Sequence, residues 1–206
     1  MLRRSLLLAL ISSVAHAEPA YPAGRTETEL EGLKTAILVP AERKKGEKWS
    51  MIVLLHGLGD SGLNLSRSLA DRPRDGYLVV APSTRARAWD KADVDATMRI
   101  AKHLLTVMPV DPDKIHVMGY SNGGWNLGPL AFHDELKPRS ATWIAAGYSN
   151  HKVPKWAKKR LGVLAIAGEQ DGNAKHAAAT VPSLQGKVRS AEARFSPTSA
   201  TGGRAN

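Results

Sequence analysis

The stretch GYSNGG at residues 119–124 decides the fold that this sequence predicts. It fits the pattern G-x-S-x-G, follows the apolar, strand-like residues 115–118, and precedes a helical stretch. Because the backbones of strand and helix approach closely at such a turn, glycine is needed on both sides of Ser121. The turn lifts the hydroxyl above the sheet edge, where the free N–H groups of the following helix also point. The pattern therefore predicts an exposed nucleophile at Ser121.

A second glycine-rich stretch, LLHGLGDSG at residues 54–62, follows an earlier strand and supports this interpretation. A loop of this kind can aim a backbone N–H at the same serine. The N–H groups of Leu58 and Asn122 would then form an oxyanion hole, which stabilises the negative oxygen of a tetrahedral intermediate. His56 belongs to this loop, and we expect it to have a structural role.

A third stretch, AGEQDG at residues 167–172, follows the strand-like residues 163–167. An acidic side chain at the carboxyl end of a strand can orient a catalytic imidazole. Asp171 is the preferred candidate and Glu169 the alternative, although an aspartate in a turn is also ordinary turn chemistry. The chain order, serine before acid, is one that known serine triads use.

Strand-like and helical patterns alternate along the rest of the chain, which predicts an α/β protein. Several strand-like runs are continuously apolar, as are strands buried on both faces of a parallel sheet. We expect a three-layer αβα sandwich around a mostly parallel sheet, in one domain over residues 18–195. The predicted strands are residues 35–39, 51–55, 77–81, 115–118, 141–146, 163–167 and 191–195, and the predicted helices are residues 92–108, 122–132 and 174–184.

The amino-terminal residues have the pattern of a secretory signal. Arg3 and Arg4 precede the mostly apolar residues 5–14, and residues 15–17 form a small-x-small cleavage site. The alternative is a membrane anchor, but the apolar run is short for a bilayer span. We therefore expect residues 1–17 to be a signal peptide and the mature protein to be secreted or periplasmic. No later stretch is long and apolar enough to predict a membrane span.

The composition narrows the possible functions. The chain has no cysteine, which excludes thiol nucleophiles, cysteine-ligated metals and disulfides. Its formal net charge is +10 at pH 7, with basic clusters at residues 43–45 and 152–160. Such clusters can bind anionic surfaces. Neither cluster is interleaved with aromatic residues in the way that stacking on nucleic-acid bases would require. We therefore expect both clusters to be solvated faces and expect no nucleic-acid partner.

Residues 56–62 and 119–124 together resemble the phospholipase/carboxylesterase branch of the α/β-hydrolases. That branch includes acyl-protein thioesterases, and dienelactone hydrolases and secreted polyester depolymerases are nearby. The resemblance extends from about residue 35 to about residue 195. It implies hydrolysis of small or polymeric carboxylic esters without a metal or cofactor. It also implies that Ser121 is the nucleophile, Asp171 the acid, and Leu58 and Asn122 the oxyanion donors.

One part of the family pattern is missing from this sequence. The family's histidine follows the last strand, often in a Gly-His pair, whereas residues 196–206 form an irregular tail without histidine or the usual final helix. Three explanations are open: truncation or a frameshift near Phe195, a non-catalytic relative that binds through its basic surface, or a substitute base. His176 and His151 are the candidate substitutes, although a solvated histidine is the simpler interpretation of both. We expect weak ester turnover or none.

Aromatic residues in the predicted loops suggest where a substrate binds. Trp89, Trp125, Tyr120 and Tyr148 lie in or beside these loops and can form a platform for an acyl or aryl group. Core or rim packing explains them equally well. Since residues 147–161 form a short connection, we expect no lid and an open cleft for short-chain or polymeric esters. Amide cleavage by the same residues is a weaker alternative.

Overall fold

The computed structural model describes residues 19–41, 44, 46–68 and 76–197. The predicted signal peptide, most of the cluster at residues 43–45 and the tail from residue 198 lie outside the described residues. The strands are β1 (Gly24–Leu30), β2 (Leu33–Val39), β3 (Trp49–Leu55), β4 (Tyr77–Pro82), β5 (Val110–Tyr120), β6 (Ser140–Ile144), β7 (Gly162–Gly168) and β8 (Ser190–Ser196).

These strands form one sheet in the order β1-β2-β4-β3-β5-β6-β7-β8. β1 pairs with β2 and β2 with β4 in antiparallel fashion, and every later neighbour is parallel. The register places Leu55 beside Gly119 and Tyr120 beside Ile144, so the carboxyl ends of β3, β5 and β6 meet at one edge. The predicted class, an αβα sandwich with a mostly parallel sheet, is confirmed.

One of the predicted helices is divided in the structure. Residues 122–132 form two short helices, because Pro129 near the start of the second lacks the N–H that a continuous helix would need. The predicted helices at residues 92–108 and 174–184 are present. The helices are α1 (Gly62–Ser68), α2 (Lys91–Val107), α3 (Asn122–Trp125), α4 (Gly128–Ala131), α5 (Ala157–Arg160) and α6 (Ala174–Leu184).

Strand β1 is a strand that apolar patterning does not predict. Its sequence, GRTETEL, offers one apolar side chain, and most of its residues are exposed at the sheet edge. Backbone pairing with β2 holds it in place from Gly24 opposite Val39 to Leu30 opposite Leu33. The two residues of the connecting turn, Glu31 and Gly32, have φ of 52° and 72°, as a tight hairpin turn requires.

The hydrophobic core lies on both sides of the central strands. Met51, Val53 and Val80 are fully buried, and α2 covers this region with a stripe that includes Ile100 and Leu104. Burial of such side chains is the main favourable contribution to folding. Within the described residues, no helix combines the length and apolar character that crossing a bilayer requires.

A buried ion pair joins three elements outside the central core. Asp93 in α2 has a side chain only 1% exposed, and its Oδ1 lies 2.6 Å from Nη1 of Arg85, whose side chain is 45% exposed. The Arg85 backbone N–H donates to Asp93 Oδ2 at 3.3 Å, and Nη2 donates to the Glu31 carbonyl at 2.9 Å. Arg85 therefore links α2, the β4–α2 loop and the β1–β2 turn.

Candidate active site

Ser121 lies at the turn between β5 and α3, in the position that the sequence predicts for it. Its backbone has φ 49° and ψ −113°, a conformation that is strained for any residue with a Cβ. The Ser121 N–H donates to the Ile144 carbonyl at 2.8 Å, and its carbonyl accepts the Trp125 N–H at 3.0 Å. Strand β6 and helix α3 thus hold the strained residue from both sides.

The neighbouring glycines make this turn possible. A Cβ at Gly119 would lie 2.5 Å from the Gly123 carbonyl oxygen. A Cβ at Gly123 would lie 2.5 Å from the His56 carbonyl oxygen and would also clash with that of Leu55. Because backbone atoms cannot move aside as flexible side chains do, α3 can approach β3 and β5 this closely only with glycine at both positions.

We predict that Gly123→Ala destabilises the fold, whereas Gly172→Ala does not. Overpacking against fixed backbone should lower the free energy of unfolding by about 1–3 kcal/mol or more. Gly172 is the matched control, since a Cβ there meets nothing within 4 Å and its effect should stay within about 0.5 kcal/mol. Chemical denaturation of both variants measures the difference, and equal stabilities would contradict the close approach.

The loop after β3 lies against the turn that carries Ser121. A Cβ at Gly57 would lie 2.9 Å from the Tyr120 ring and 3.7 Å from Ser121 Cβ. Leu58 follows, with an unusually exposed side chain (55%) for its type. Within the described part of the chain, no acceptor is recorded for the backbone N–H of Leu58 or of Asn122. Both donors are therefore available, as an oxyanion hole requires.

His56 fixes the shape of this loop. Its ring is fully buried; Nε2 accepts the Thr84 N–H at 3.1 Å, and Nδ1 lies 2.7 Å from the Gly57 carbonyl. Because Nε2 is an acceptor, Nδ1 carries the hydrogen and donates it to Gly57. Burial lowers the pKa of His56, which favours this neutral form. His56 thus has the structural role expected for it.

Trp89 connects the loop to the nucleophile turn. Its indole N–H donates to the His56 carbonyl at 2.9 Å, and its backbone N–H donates to Asn122 Oδ1 at 2.9 Å. Its ring lies 5.0 Å from that of His56 and is only 5% exposed. In this position Trp89 braces the two donor-bearing segments against each other. A direct contact between Trp89 and substrate stays a prediction.

Asp171 is buried at the carboxyl end of β7 and has one unpartnered oxygen. Oδ1 accepts the Asn173 N–H at 2.8 Å, whereas the buried Oδ2 has no hydrogen-bond partner among the described residues. A buried acceptor without a donor costs about 1–3 kcal/mol, so it calls for an explanation, and a catalytic role is one. The alternative, Glu169, is exposed.

The Asp171 carboxylate also acts electrostatically on the residue before the nucleophile. Burial raises the pKa of the Tyr120 hydroxyl, and the negative charges of Asp171 and then Asp60 raise it further. Asp171 is therefore within electrostatic range of Tyr120, the immediate neighbour of Ser121. The predicted nucleophile and acid are fifty residues apart in the sequence and follow β5 and β7, whose carboxyl ends lie on the same edge of the sheet. That the two residues act together stays a prediction.

The two candidate substitute bases lie beside α3 and α4. His176 is exposed on α6, and its ring meets that of Trp125 edge-on at 5.0 Å. The His151 ring packs directly on Gly128, and burial lowers its pKa. Within the described residues, no hydrogen bond is recorded from either ring to Ser121 or Asp171. Neither residue is placed as the general base by a contact.

The remaining predicted aromatic residues surround the turn at different depths. The Tyr120 ring lies against Gly57 and borders an open pocket of about 530 Å³ with residues of α1. Trp125 is half-buried against His176. The Tyr148 ring packs edge-on against Phe132 at 5.8 Å. The contact of Tyr120 and Trp125 with substrate stays a prediction.

Comparisons with known proteins concern the fold of this chain. No protein-family model matches the chain, and no curated protein matches it significantly. Solved structures do match. A carboxylesterase from Mesorhizobium loti is 20% identical over 85% of this chain and 90% of its own, with a TM-score of 0.65. The fluorophosphonate-binding serine hydrolase F of Staphylococcus aureus is 13% identical over 86% and 92%, with a TM-score of 0.67.

A thermostable esterase is 16% identical over 84% of this chain, with a TM-score of 0.66, and this chain spans 55% of its length. At such low identities the likeness concerns the fold. The strand order, the two antiparallel pairings and the glycine-flanked Ser121 at the carboxyl edge of the sheet agree with it. The chain therefore has the α/β-hydrolase fold.

Proposed function

We propose that this protein is a serine hydrolase that cleaves carboxylic esters through an acyl-enzyme on Ser121. The strained backbone of Ser121, φ 49° and ψ −113°, carries this proposal, because such strain persists where function requires it. The Ser121 oxygen attacks the ester carbonyl, the N–H groups of Leu58 and Asn122 stabilise the resulting oxyanion, and the alcohol leaves. Water then hydrolyses the acyl-serine.

The proton of Ser121 needs an acceptor during this attack. In the family that the sequence resembles, a histidine held by the acid fills this role, and Asp171 Oδ2 is the oxygen available to orient it. No histidine follows His176 in these 206 residues. We therefore propose that this chain hydrolyses esters slowly, because serine without a base is a weak nucleophile at neutral pH.

We predict that added imidazole accelerates hydrolysis of p-nitrophenyl butyrate by this chain. A positioned general base contributes about 10²–10⁴-fold, and a diffusible base should recover at least about tenfold of this. Asp171→Ala should weaken the stimulation, since the bound imidazole loses the carboxylate that orients it. Rapid turnover without imidazole would contradict the missing base and point to His176 or His151, each then tested by replacement with alanine.

The alternative is a hydrolase-fold protein that binds a ligand without cleaving it. Among the described residues, no histidine ring is hydrogen-bonded to Ser121 or Asp171, and this favours the alternative because a serine without a general base is a weak nucleophile. A fluorophosphonate probe separates the two, because it forms a covalent bond only with an activated serine. Labelling that imidazole accelerates supports the hydrolase. No labelling at any imidazole concentration supports the binding protein.

The substrate class and location are further parts of the proposal. The half-open pocket beside Tyr120 and the short connection after β6 favour short-chain or polymeric esters over long lipids. A chain-length series of p-nitrophenyl esters tests this, and a preference for C12 over C4 would contradict it. We place the protein outside the cytoplasm on the evidence of residues 1–17. Removal of residues 1–17 from the exported protein is the observation that would support this location.

A further inference from the structure

A groove on the flank of the sandwich gathers lysines from two distant parts of the sequence. We define this lysine groove by Lys152, Lys155, Lys158 and Lys187, arranged around Tyr148 and Pro154, with a volume of about 620 Å³. The first three come from the connection between β6 and α5, and from α5 itself. Lys187 comes from the turn after α6. Among the residues that the structure describes, no carboxylate lines this groove.

The lysines of this groove are not neutralised by nearby acids. None of the four has an ion pair among the described residues, and the one recorded bond is from Lys187 Nζ to the Ser183 carbonyl at 2.9 Å. The acids in this region are engaged elsewhere: Asp113 with Arg160 at 2.6 Å and Asp134 with the Trp156 indole at 3.0 Å. Four cations around one concavity therefore produce a strong local positive potential.

The shape and chemistry of the groove favour one class of partner. A concave groove fits a linear chain better than it fits a flat membrane surface. The Tyr148 ring is packed edge-on against Phe132, and its hydroxyl donates to the His151 carbonyl. It is therefore not free to stack on nucleic-acid bases, which single-stranded nucleic acid would need. Closely spaced anionic groups along a polymer would instead pair with the lysines and release their condensed counterions.

The lysine groove runs from the loop after β6, where Tyr148 and the candidate base His151 line it, towards the amino ends of β7 and β8. Lys158 precedes the amino end of β7, and Lys187 precedes the amino end of β8. Ser121 follows the carboxyl end of β5, which in a parallel sheet is the opposite edge. A polymer bound by Lys158 and Lys187 at the amino end of the groove would leave Ser121, at the carboxyl edge, open to an ester.

We propose that the lysine groove binds a linear anionic polymer whose repeating groups are carboxylates, sulfates or phosphates. Binding holds the protein on a charged matrix. This inference does not depend on hydrolysis, so the failure of the proposed function and the failure of this inference are separate results.

Fluorescence anisotropy of the labelled full chain tests the proposal with heparin, polygalacturonate and polyphosphate, with neutral dextran as a blank. We expect at least one polyanion to bind. With four lysines engaged, affinity should fall by about 50-fold between 50 and 200 mM salt, for a polymer as densely charged as a single-stranded nucleic acid. Anionic phospholipid vesicles and an oligonucleotide of mixed sequence form the competing arms. Tighter binding of either than of every linear polyanion would overturn the proposal.

A pair of charge-matched variants shows whether the groove is the site. The variant with Lys155→Gln, Lys158→Gln and Lys187→Gln should bind at least about tenfold more weakly. The control changes three exposed lysines near β2 and β3, Lys34, Lys44 and Lys48, to glutamine and removes the same charge. It should lose less than about threefold. Equal losses, or no polyanion binding at 20 mM salt, would overturn the proposal, and thermal melts check that both variants fold.

Discussion

The variant Ser121→Ala is expected to lose all fluorophosphonate labelling and all imidazole-stimulated ester hydrolysis. The probe bonds to an activated serine oxygen, and Ser121 is the serine that the fold places at the glycine-flanked turn. After subtraction of the hydrolysis that imidazole causes without protein, turnover with imidazole should fall to the residual level that an oxyanion hole and binding retain, about 10³–10⁴ over water. Intact-mass spectrometry after labelling and initial rates with p-nitrophenyl butyrate measure the two effects.

Two features make the comparison of Ser121→Ala with the unmodified protein specific for the serine hydroxyl. Alanine keeps the Cβ, so the variant retains the strained backbone and removes only the hydroxyl. Ser149→Ala is the matched control, because Ser149 is an exposed serine whose hydroxyl bonds weakly to the Trp125 carbonyl at 3.4 Å. Labelling of Ser121→Ala at the rate of the unmodified protein would refute the assignment of the nucleophile.

The largest expected effect on stability belongs to Arg85→Met. This change leaves the Asp93 carboxylate, 1% exposed, without its guanidinium partner. Removing one partner of a buried pair destabilises by about 3–5 kcal/mol, and the half-exposed position of Arg85 suggests the lower end of that range. Asp93→Ala should cost less, because Arg85 can then turn into solvent. Urea denaturation monitored by tryptophan fluorescence gives the free energy of unfolding of each variant.

Arg99→Met provides the comparison for this prediction. Arg99 pairs with Glu31 at 2.7 Å, but both side chains are substantially exposed, at 54% and 41%. Solvent screening limits such a surface pair to about 0–1 kcal/mol. The double variant Arg85→Met with Asp93→Ala should recover part of the loss, since it removes the unpaired charge. Similar free energies of unfolding for Arg85→Met and Arg99→Met would show that the burial of Asp93 does not increase the cost of losing its partner.

The sequence predicts the parallel part of the fold well because its signals are local. Residues 51–55 and 163–167 are continuously apolar, and a strand buried on both faces needs no other information. The turn at Ser121 can also be predicted from the sequence, because the steric need for glycine at positions 119 and 123 arises within a few residues. Strand β1 has no such signal, because its polar edge position is maintained by backbone pairing with β2.

Other features depend on contacts that patterns along the chain do not contain. Trp89 is separated from His56 and Asn122 by 33 residues each, so its burial between the two donor-bearing segments follows from the topology. The same is true of Lys187, which joins the lysines of residues 152–158 only because α6 returns the chain to the amino edge of the sheet. The hairpin turn between β1 and β2 could have been predicted from the Glu31-Gly32 pair, which lies between two extended runs.

The backbone conformation of Ser121 is unfavourable for a residue with a side chain, although the proposed reaction needs a side-chain hydroxyl there. A residue without a side chain would adopt φ 49° and ψ −113° at little cost, whereas serine raises the energy of the native state by about 1–3 kcal/mol. A chain shaped only by selection for rigidity would have drifted to glycine at this position. Serine at this position therefore lowers stability, which is a cost that the proposed nucleophile would require.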